Sequence, residues 1–512
     1  MINSVNSFPL RSGSRYLVRA KTLGWVRPII VVGLLVNVGL SGCSMAPRLE
    51  DPVQPLPEQF EAAALADQSA QHYWWHGFGD PYLNQLVDSV IARNLDLRVA
   101  VARVAEVQNQ FRIARSEQYP SMELSARRDQ QDIPSNVGIG GQIGDRFDVP
   151  GAPAFPDRFD YTTYSASLGF AYEIDFWGRV RGTKQAALQE FFATQSDVRT
   201  VLLGVIGETV ATYFEIASRQ RTLELTQESV RILAERAQIL SDRYQRGLVS
   251  PLEFHATQQQ LHAAKADLPV LESQLDATRG RLTLLLGRYR MPMDTMLVPE
   301  STYVYALEEI PSGLPSDLLQ ERPDVVAAFQ RLEAARERIG AARAVQFPSF
   351  SLTGAAGTQS SVLSDIVQTS QNFWLFGSGL TAPIFNAGRI RANIRVAWAQ
   401  YEQLALQYEK TVLMAFRDVE AALMNYGKLK ERHESLTAAQ ASARDRVQIQ
   451  ELRYLRGTGD YLGLLDARRN LVLSEIGLTE SRRSLAEARL AVHRSLGGTW
   501  IQEGSERNLE AP

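Results

Sequence analysis

YQRGLVSPLEFHATQQQL (Tyr244–Leu261) and YLRGTGDYLGLLDARRNL (Tyr454–Leu471) are one pattern written twice, 210 positions apart. Tyr244 and Tyr454, Arg246 and Arg456, Gly247 and Gly457, Leu252 and Leu462, and Leu261 and Leu471 coincide. A repeat of this period is too long for a solenoid unit. It marks a duplicated domain whose halves pack around a shared axis or wall.

Each copy follows a long run of helical composition. No proline lies between Arg179 and Gly247, and Arg389 to Gly457 has neither proline nor, before its end, any glycine except Gly427. At the helical rise each run would reach about 100 Å. No globular core encloses such a rod, so these helices are expected to lie against one another as extended coiled coils. The chain turns at the repeated motif, where Ser250 reads as an N-cap with Pro251 at the first helical position, and Asp460 as the equivalent cap. The returning helices run to Leu286 and Gly287 and to Leu496 and Gly497, giving helical hairpins over 179–287 and 389–497.

Further upstream, Leu83 to Gln118 reads as one helix, with Leu83, Leu86, Val87, Val90 and Ile91 at helical spacing, stopping at Tyr119 and Pro120. Its counterpart, Asp317 to Gln346, stops at Phe347 and Pro348. Beyond each proline the period changes to two. Tyr164, Ala166, Leu168, Phe170, Tyr172 and Ile174 alternate with small or polar residues, as do Met122, Leu124 and Ala126 in a short partner strand. The second half repeats the design with Phe350 and Leu352 in one strand and Trp374, Phe376, Leu380, Ala382 and Ile384 in the other. Each half is thus expected to carry one β-hairpin, over about 119–176 and about 347–386, leading into TrpGlyArgValArg (177–181) and AlaGlyArgIleArg (387–391). The segments are then a repeat over 83–287, a mixed stretch over 288–316, a second repeat over 317–497 and a tail over 498–512.

The first 42 residues read as a lipoprotein signal peptide. Arg11, Arg15, Arg19, Lys21 and Arg27 precede an apolar run, Ile29 to Leu40, that ends in Leu40, Ser41, Gly42 and Cys43. The run is shorter than the roughly 20 residues of a spanning helix. Cys43, the sole cysteine, resembles the acylated first residue of a bacterial lipoprotein, and Ser44 after it fits an outer-membrane address. The covalent acyl and diacylglyceryl groups on Cys43 are the only additions expected, with no other cofactor. Residues 43–82 then form an acylated tether and periplasmic segment, rich in proline at Pro47, Pro52, Pro55 and Pro57.

The leader holds 5 of the 54 basic residues and no acidic one, so the mature chain is mildly acidic, with 49 basic residues against 57 acidic. No basic stripe is present, and no nucleic-acid partner is expected. His72 and His76 enclose no general base, and His255 and His262 share a helix face without a cysteine or acidic cluster to complete a metal site. No phosphate-cradling loop occurs, so neither enzyme nor metal centre is indicated.

Four strands with an apolar face are too few to close a membrane barrel, which starts at about eight strands. The chain must oligomerise, which makes the strand count a multiple of four: a dimer gives eight strands, which largely fill their own lumen, and a trimer twelve, which leave room for a channel. The lipobox, WWHGFGDPYLNQL (Trp74–Leu86), the duplicated helical hairpins and the YxxG tips together resemble the TolC and NodT type of outer membrane factor over nearly the whole mature chain. The resemblance implies a mainly α fold with a membrane β-barrel: a homotrimer with a 12-stranded barrel in the outer membrane, continued by a trimeric α-barrel across the periplasm. It implies a passive exit duct of a tripartite efflux system, docked to a periplasmic membrane-fusion adaptor and an inner-membrane transporter, often of the resistance-nodulation-division type. A duct for protein or peptide secretion and an exported coiled-coil scaffold are the alternatives.

By the same resemblance, adaptor docking falls on Arg246, Gly247 and Leu248 and on Arg456, Gly457 and Thr458, where each glycine also reads as a helix C-cap. Asp466, opposite Ala256 in the repeat, would line the constricted periplasmic end as a threefold ring of carboxylates attracting cations, with an ordinary solvated carboxylate as the alternative. Tyr454 would join the closed-state network or serve packing. Gly459 and Gly463 stand where some family members carry an arginine and a second acid, so the family's closing bonds do not transfer.

Overall fold

The computed structural model describes residues 44–49, 74–134, 158–289 and 322–498. Cys43 and the leader, most of the tether, the mixed stretch from 290 and the tail from 499 lie outside the described residues. Two compact units are present, one built on the strands and one on the helices.

In the strand unit, β1 (Ser121–Pro134), β2 (Arg158–Ile174), β3 (Ser349–Ser360) and β4 (Asn372–Thr381) form one antiparallel sheet in the order β1-β2-β3-β4. The two hairpins expected from the sequence are therefore joined edge to edge through β2 and β3. The partner strand read as short is 14 residues long. Ala382 and Ile384, read as strand, lie past the end of β4, and Ile384 is 97% exposed. Alternation there continues in the sequence but the ladder does not, because β3 begins at Ser349 opposite Thr381 and offers no residue to pair beyond it.

Register sets the apolar side chains in rows across all four strands. Met122, Phe170, Gly354 and Phe376 are consecutive partners, as are Leu124, Leu168, Ala356 and Trp374. Gly354 has no side chain because its space is taken by the Phe170 ring, which a Cβ would meet at 2.5 Å and which stacks toward Phe376. Leu124, Trp374 and Phe376 remain 79%, 81% and 59% exposed, so this face is covered by nothing among the described residues. The opposite face of β1 to β3 is mainly small or polar, with Ser125 and Ser167 hydroxyls 3.1 Å apart. Trp177 adds a bond between the halves, its indole N–H donating to the Pro348 carbonyl at 2.9 Å.

The helical unit contains α1 (Pro81–Arg93), α2 (Leu95–Ser116), α3 (Arg179–Gln245), α4 (Pro251–Leu285), α5 (Pro323–Ala344), α6 (Arg389–Leu455) and α7 (Tyr461–Ser495). The duplication is visible in length: α3 and α6 have 67 residues each, and α4 and α7 have 35 each. The helix expected over Leu83 to Gln118 is broken. Asn94 leaves helical geometry, its carbonyl side-chain oxygen capping Leu97 N–H and its amide donating to Leu285 O at 3.0 Å. Buried Asn satisfies both its groups only in this broken form, which outweighs the continuous helical periodicity.

One core unites these helices, with Leu83 and Val87 from α1, Ile206 and Tyr213 from α3, Leu282 from α4, Val325 from α5, Val412 from α6 and Leu490 from α7. Each fully buried side chain of this size contributes about 2 kcal/mol. A stretch of α3 is apolar enough to cross a membrane, with mean hydropathy 1.4, but 67% of it is buried among the other helices, as in a core helix. The WWHGF segment (Trp74–Phe78), assigned from sequence to the periplasmic stretch, is a 3₁₀ turn within this core. Trp75 is 1% exposed, Arg489 lies over Phe78, and Asp80 caps α1 while accepting the Tyr213 hydroxyl at 2.6 Å.

Candidate functional site

Both repeated motifs form helix-to-helix turns with closely similar geometry. In the first, Gly247 takes φ +70°, its N–H reaching Tyr244 O and that of Leu248 reaching Arg243 O, both at 2.9 Å. In the second, Gly457 takes φ +69°, with Gly457 N–H on Tyr454 O and Thr458 N–H on Arg453 O at 2.9 Å. These bonds satisfy the last carbonyls of α3 and α6, as a glycine-terminated helix requires. A Cβ at either glycine would meet nothing within 4 Å, so the backbone angle alone selects glycine.

The two tips differ in how their second helix starts. Ser250 caps α4 through Glu253 N–H at 3.2 Å, and Tyr244 stacks on Phe254 at 4.8 Å. Asp460 occupies the cap position of α7 but makes no side-chain capping bond. Its carboxylate instead faces Arg243 of α3 at 3.4 Å, a charged partner that competes with the exposed backbone N–H groups. Tyr454 is 43% exposed with its ring beside Tyr461 at 4.9 Å. All six sequence-selected tip residues, Arg246, Gly247, Leu248, Arg456, Gly457 and Thr458, are exposed.

Asp466 sits on α7 against Arg236 of α3 in a close charged hydrogen bond; the guanidinium side chain is 19% exposed and the carboxylate 43%. The carboxylate is thus matched by a cation 230 residues earlier, a partner that no local spacing reveals. Around this pair α3 and α7 are zipped together. The Tyr461 hydroxyl donates to Glu235 at 2.5 Å, a bond that, ahead of burial, holds the phenol above its usual range. Leu225, Ile232 and Leu240 of α3 pack on Leu462, Leu465 and Val472 of α7. Arg236, Arg243 and Glu235 were missed by sequence reading; their only signal was a charged face on a long helix, which solvent explains equally well. The structure does not bring Asp466 together with Tyr454 in a hydrogen bond among the described contacts. Among the described residues no group of three or more His, Cys, Asp or Glu side chains is placed to hold a metal ion.

A family model described as outer membrane efflux protein matches residues 86–288 and 314–498, which are the two repeats. A relative named as the toluene efflux pump outer membrane protein TtgC of Pseudomonas putida is 30% identical over 92% of this chain and 96% of its own length. The outer membrane protein OprJ of Pseudomonas aeruginosa is likewise 30% identical, over 92% and 96%. Among solved structures, the open state of the outer membrane channel MtrE of Neisseria gonorrhoeae aligns with a TM-score of 0.76 at 28% identity, covering 90% of this chain and 100% of that one. The likeness spans the four-stranded sheet and both helical hairpins, and with it the chain belongs to the outer membrane efflux protein family and serves as the outer-membrane exit duct of an efflux system.

Proposed function

We propose that three copies of this chain assemble around a common axis, each giving its four strands to one 12-stranded membrane barrel and its helical hairpins to a duct wall. The carrying observation is the sheet itself. Its apolar face is exposed, with Trp374 81% and Leu380 63% accessible, and β1 and β4 are edge strands that find no further partner in the sheet. Exposed edges and a bare apolar face are both costly in a lone chain, and closure in lipid removes both costs. Cys43 carries the lipid anchor in the outer membrane. A periplasmic membrane-fusion adaptor docks at the hairpin tips, where Leu248 and the neighbouring Leu252 stand 69% and 81% exposed, and an inner-membrane transporter supplies the energy. Asp466 and Tyr454 line the constricted end of the pore. The cargo is small toxic molecules, the class to which toluene and the antibiotics in relatives' names belong.

The test is site-specific crosslinking of the tips to the adaptor. Replacing Gly247 or Gly457 by tryptophan should weaken crosslinking and efflux while a heat-modifiable trimer persists in outer-membrane fractions. Undiminished crosslinking and efflux in both variants would remove the tips from docking.

A further inference from the structure

The apolar face of the sheet has a dip along one strand. The even-numbered residues of β3 run Phe350, Leu352, Gly354 and Ala356, so their side chains shrink with distance from the strand's start. Those beside them do not: Gly354 pairs with Phe170 and Phe376, and Ala356 with Leu168 and Trp374. A groove of about 370 Å³ results, floored by Gly354 and Ala356 and walled by Leu168, Phe170, Trp374 and Phe376. The Phe170 ring leans over Gly354, while Ala356 is exposed and leaves the floor open one row beyond. Every residue lining the groove is apolar or glycine, so it offers nothing to a charged or hydrogen-bonding ligand and fits a hydrocarbon chain.

The beginning of the mature chain is held at the start of the same strand. Arg343, in the last turn of α5, donates from Nη1 to the Met45 carbonyl at 3.5 Å. Arg343 precedes Ser349, the first residue of β3, by six positions, and Met45, Arg343 and the four strands belong to one compact unit. Cys43 stands two positions before Met45. Any chain attached to its sulfur or its amino group therefore starts beside the strand that floors the groove.

The depth also matches. Gly354 is five residues beyond Ser349, about 17 Å along the strand at roughly 3.4 Å per residue. With strands tilted by about 40° this is about 13 Å of depth, inside the roughly 15 Å that is half of a hydrocarbon core. Bilayer lipid is as apolar as the groove, so transfer from water does not select between a free acyl chain and the protein's own. The covalent linkage does select, because one end of the tethered chain is already fixed and seating it costs less freedom than immobilising a diffusing lipid. Close contact with the Trp374 and Phe376 rings then adds dispersion energy that loosely packed lipid tails do not supply.

We infer that one acyl chain carried by Cys43 lies in this groove and completes the lipid-facing belt where β3 has almost no side chains. The anchor is thus part of the barrel wall, packed on the strands of its own protein instead of dispersed in the bilayer. This rests on the acylation of Cys43 and the three-copy barrel proposed above.

Cells grown with a photoactivatable diazirine fatty acid would load both Cys43 and the surrounding phospholipid, and the full-length protein would be illuminated in outer membranes and digested with trypsin. The product expected joins the lipopeptide 43–48 to peptides 159–179 and 344–389, with attachment at Phe170, Ala356 or Trp374. Ala356→Trp should fill the groove and lower that product severalfold, and Ala356→Leu should do the same with less strain. Leu124→Trp, on the same face but outside the groove, should leave it unchanged. A heat-modifiable trimer is required of each variant. Groove residues that carry phospholipid adducts but no lipopeptide, or lipopeptide adducts spread evenly over the apolar face, overturn the inference, as does an unchanged yield in both Ala356 variants. Recovery of 43–48 without lipid would instead overturn the acylation of Cys43, and absence of a trimer in the unmodified protein would overturn the assembly.

Discussion

Asp466 shows how a single residue changes meaning once its neighbour is known. As a bare carboxylate in a threefold ring it would draw cations into a pore. Set against Arg236 it is half of an ion pair, and in the proposed trimer three such pairs would carry little net field. Asp466→Ala would then do more than delete a negative charge: it leaves Arg236, 19% exposed, without this partner. Because the carboxylate is 43% exposed, the stability lost should be only about 1 kcal/mol after solvent screening. The larger effect belongs to permeation. Single-channel recordings of Asp466→Ala should show reduced preference for cations, and an unchanged preference would take Asp466 out of the pore lining. Gly247 and Gly457 act at the same scale for another reason. Open space surrounds both, yet a left-handed backbone at φ +70° and +69° costs any other residue about 1 kcal/mol.

At the scale of elements, the sheet and the last helix make separable claims. If the even-numbered face of β1 meets lipid, Leu124→Arg should destabilise the folded protein in bilayers by about 2–4 kcal/mol near the membrane midplane. Ser125→Arg, one residue along and on the other face, should cost much less in the same urea titrations. Similar penalties at the two positions would argue that neither face sees hydrocarbon. In α7, His493 stacks on Trp74 at 5.3 Å. Burial first, and the charge of Arg489 second, push its imidazole from the usual 6.5 down to about 3. A pKa lower folded than unfolded means that the unfolded chain binds the extra proton. The stabilising contribution of neutral His493 is therefore complete above about pH 6.5 and is lost progressively as pH falls toward 3. His493→Phe, which retains the stacked ring, should flatten the decline of Tm across that window, whereas a parallel decline in both proteins would assign acid sensitivity to other groups.

For the whole molecule, the expected phenotype is loss of export: deleting the gene should raise susceptibility to several unrelated small toxicants at once, measured as growth inhibition, and restoring the gene should reverse it. Unaltered susceptibility to every compound would favour a secretion duct. Much of this architecture was legible in the chain because its signals are local. Proline-free runs, glycine-ended helices and two-residue alternation depend on neighbours a few positions away, and the 210-residue spacing of Tyr244 and Tyr454 displayed the duplication outright. Local signals also misled where a distant partner intervened, as when Leu285 drew Asn94 out of a continuous helix and Arg243 drew Asp460 from its cap. The sequence by itself determined the two halves, the rods, the tips and the alternating strands. Only the tertiary structure decided that β2 pairs with β3 and that α7 closes on α3 through Asp466 and Arg236. The physical reason is that periodicity states which face of an element is apolar, while which face of another element covers it depends on packing between residues hundreds of positions apart.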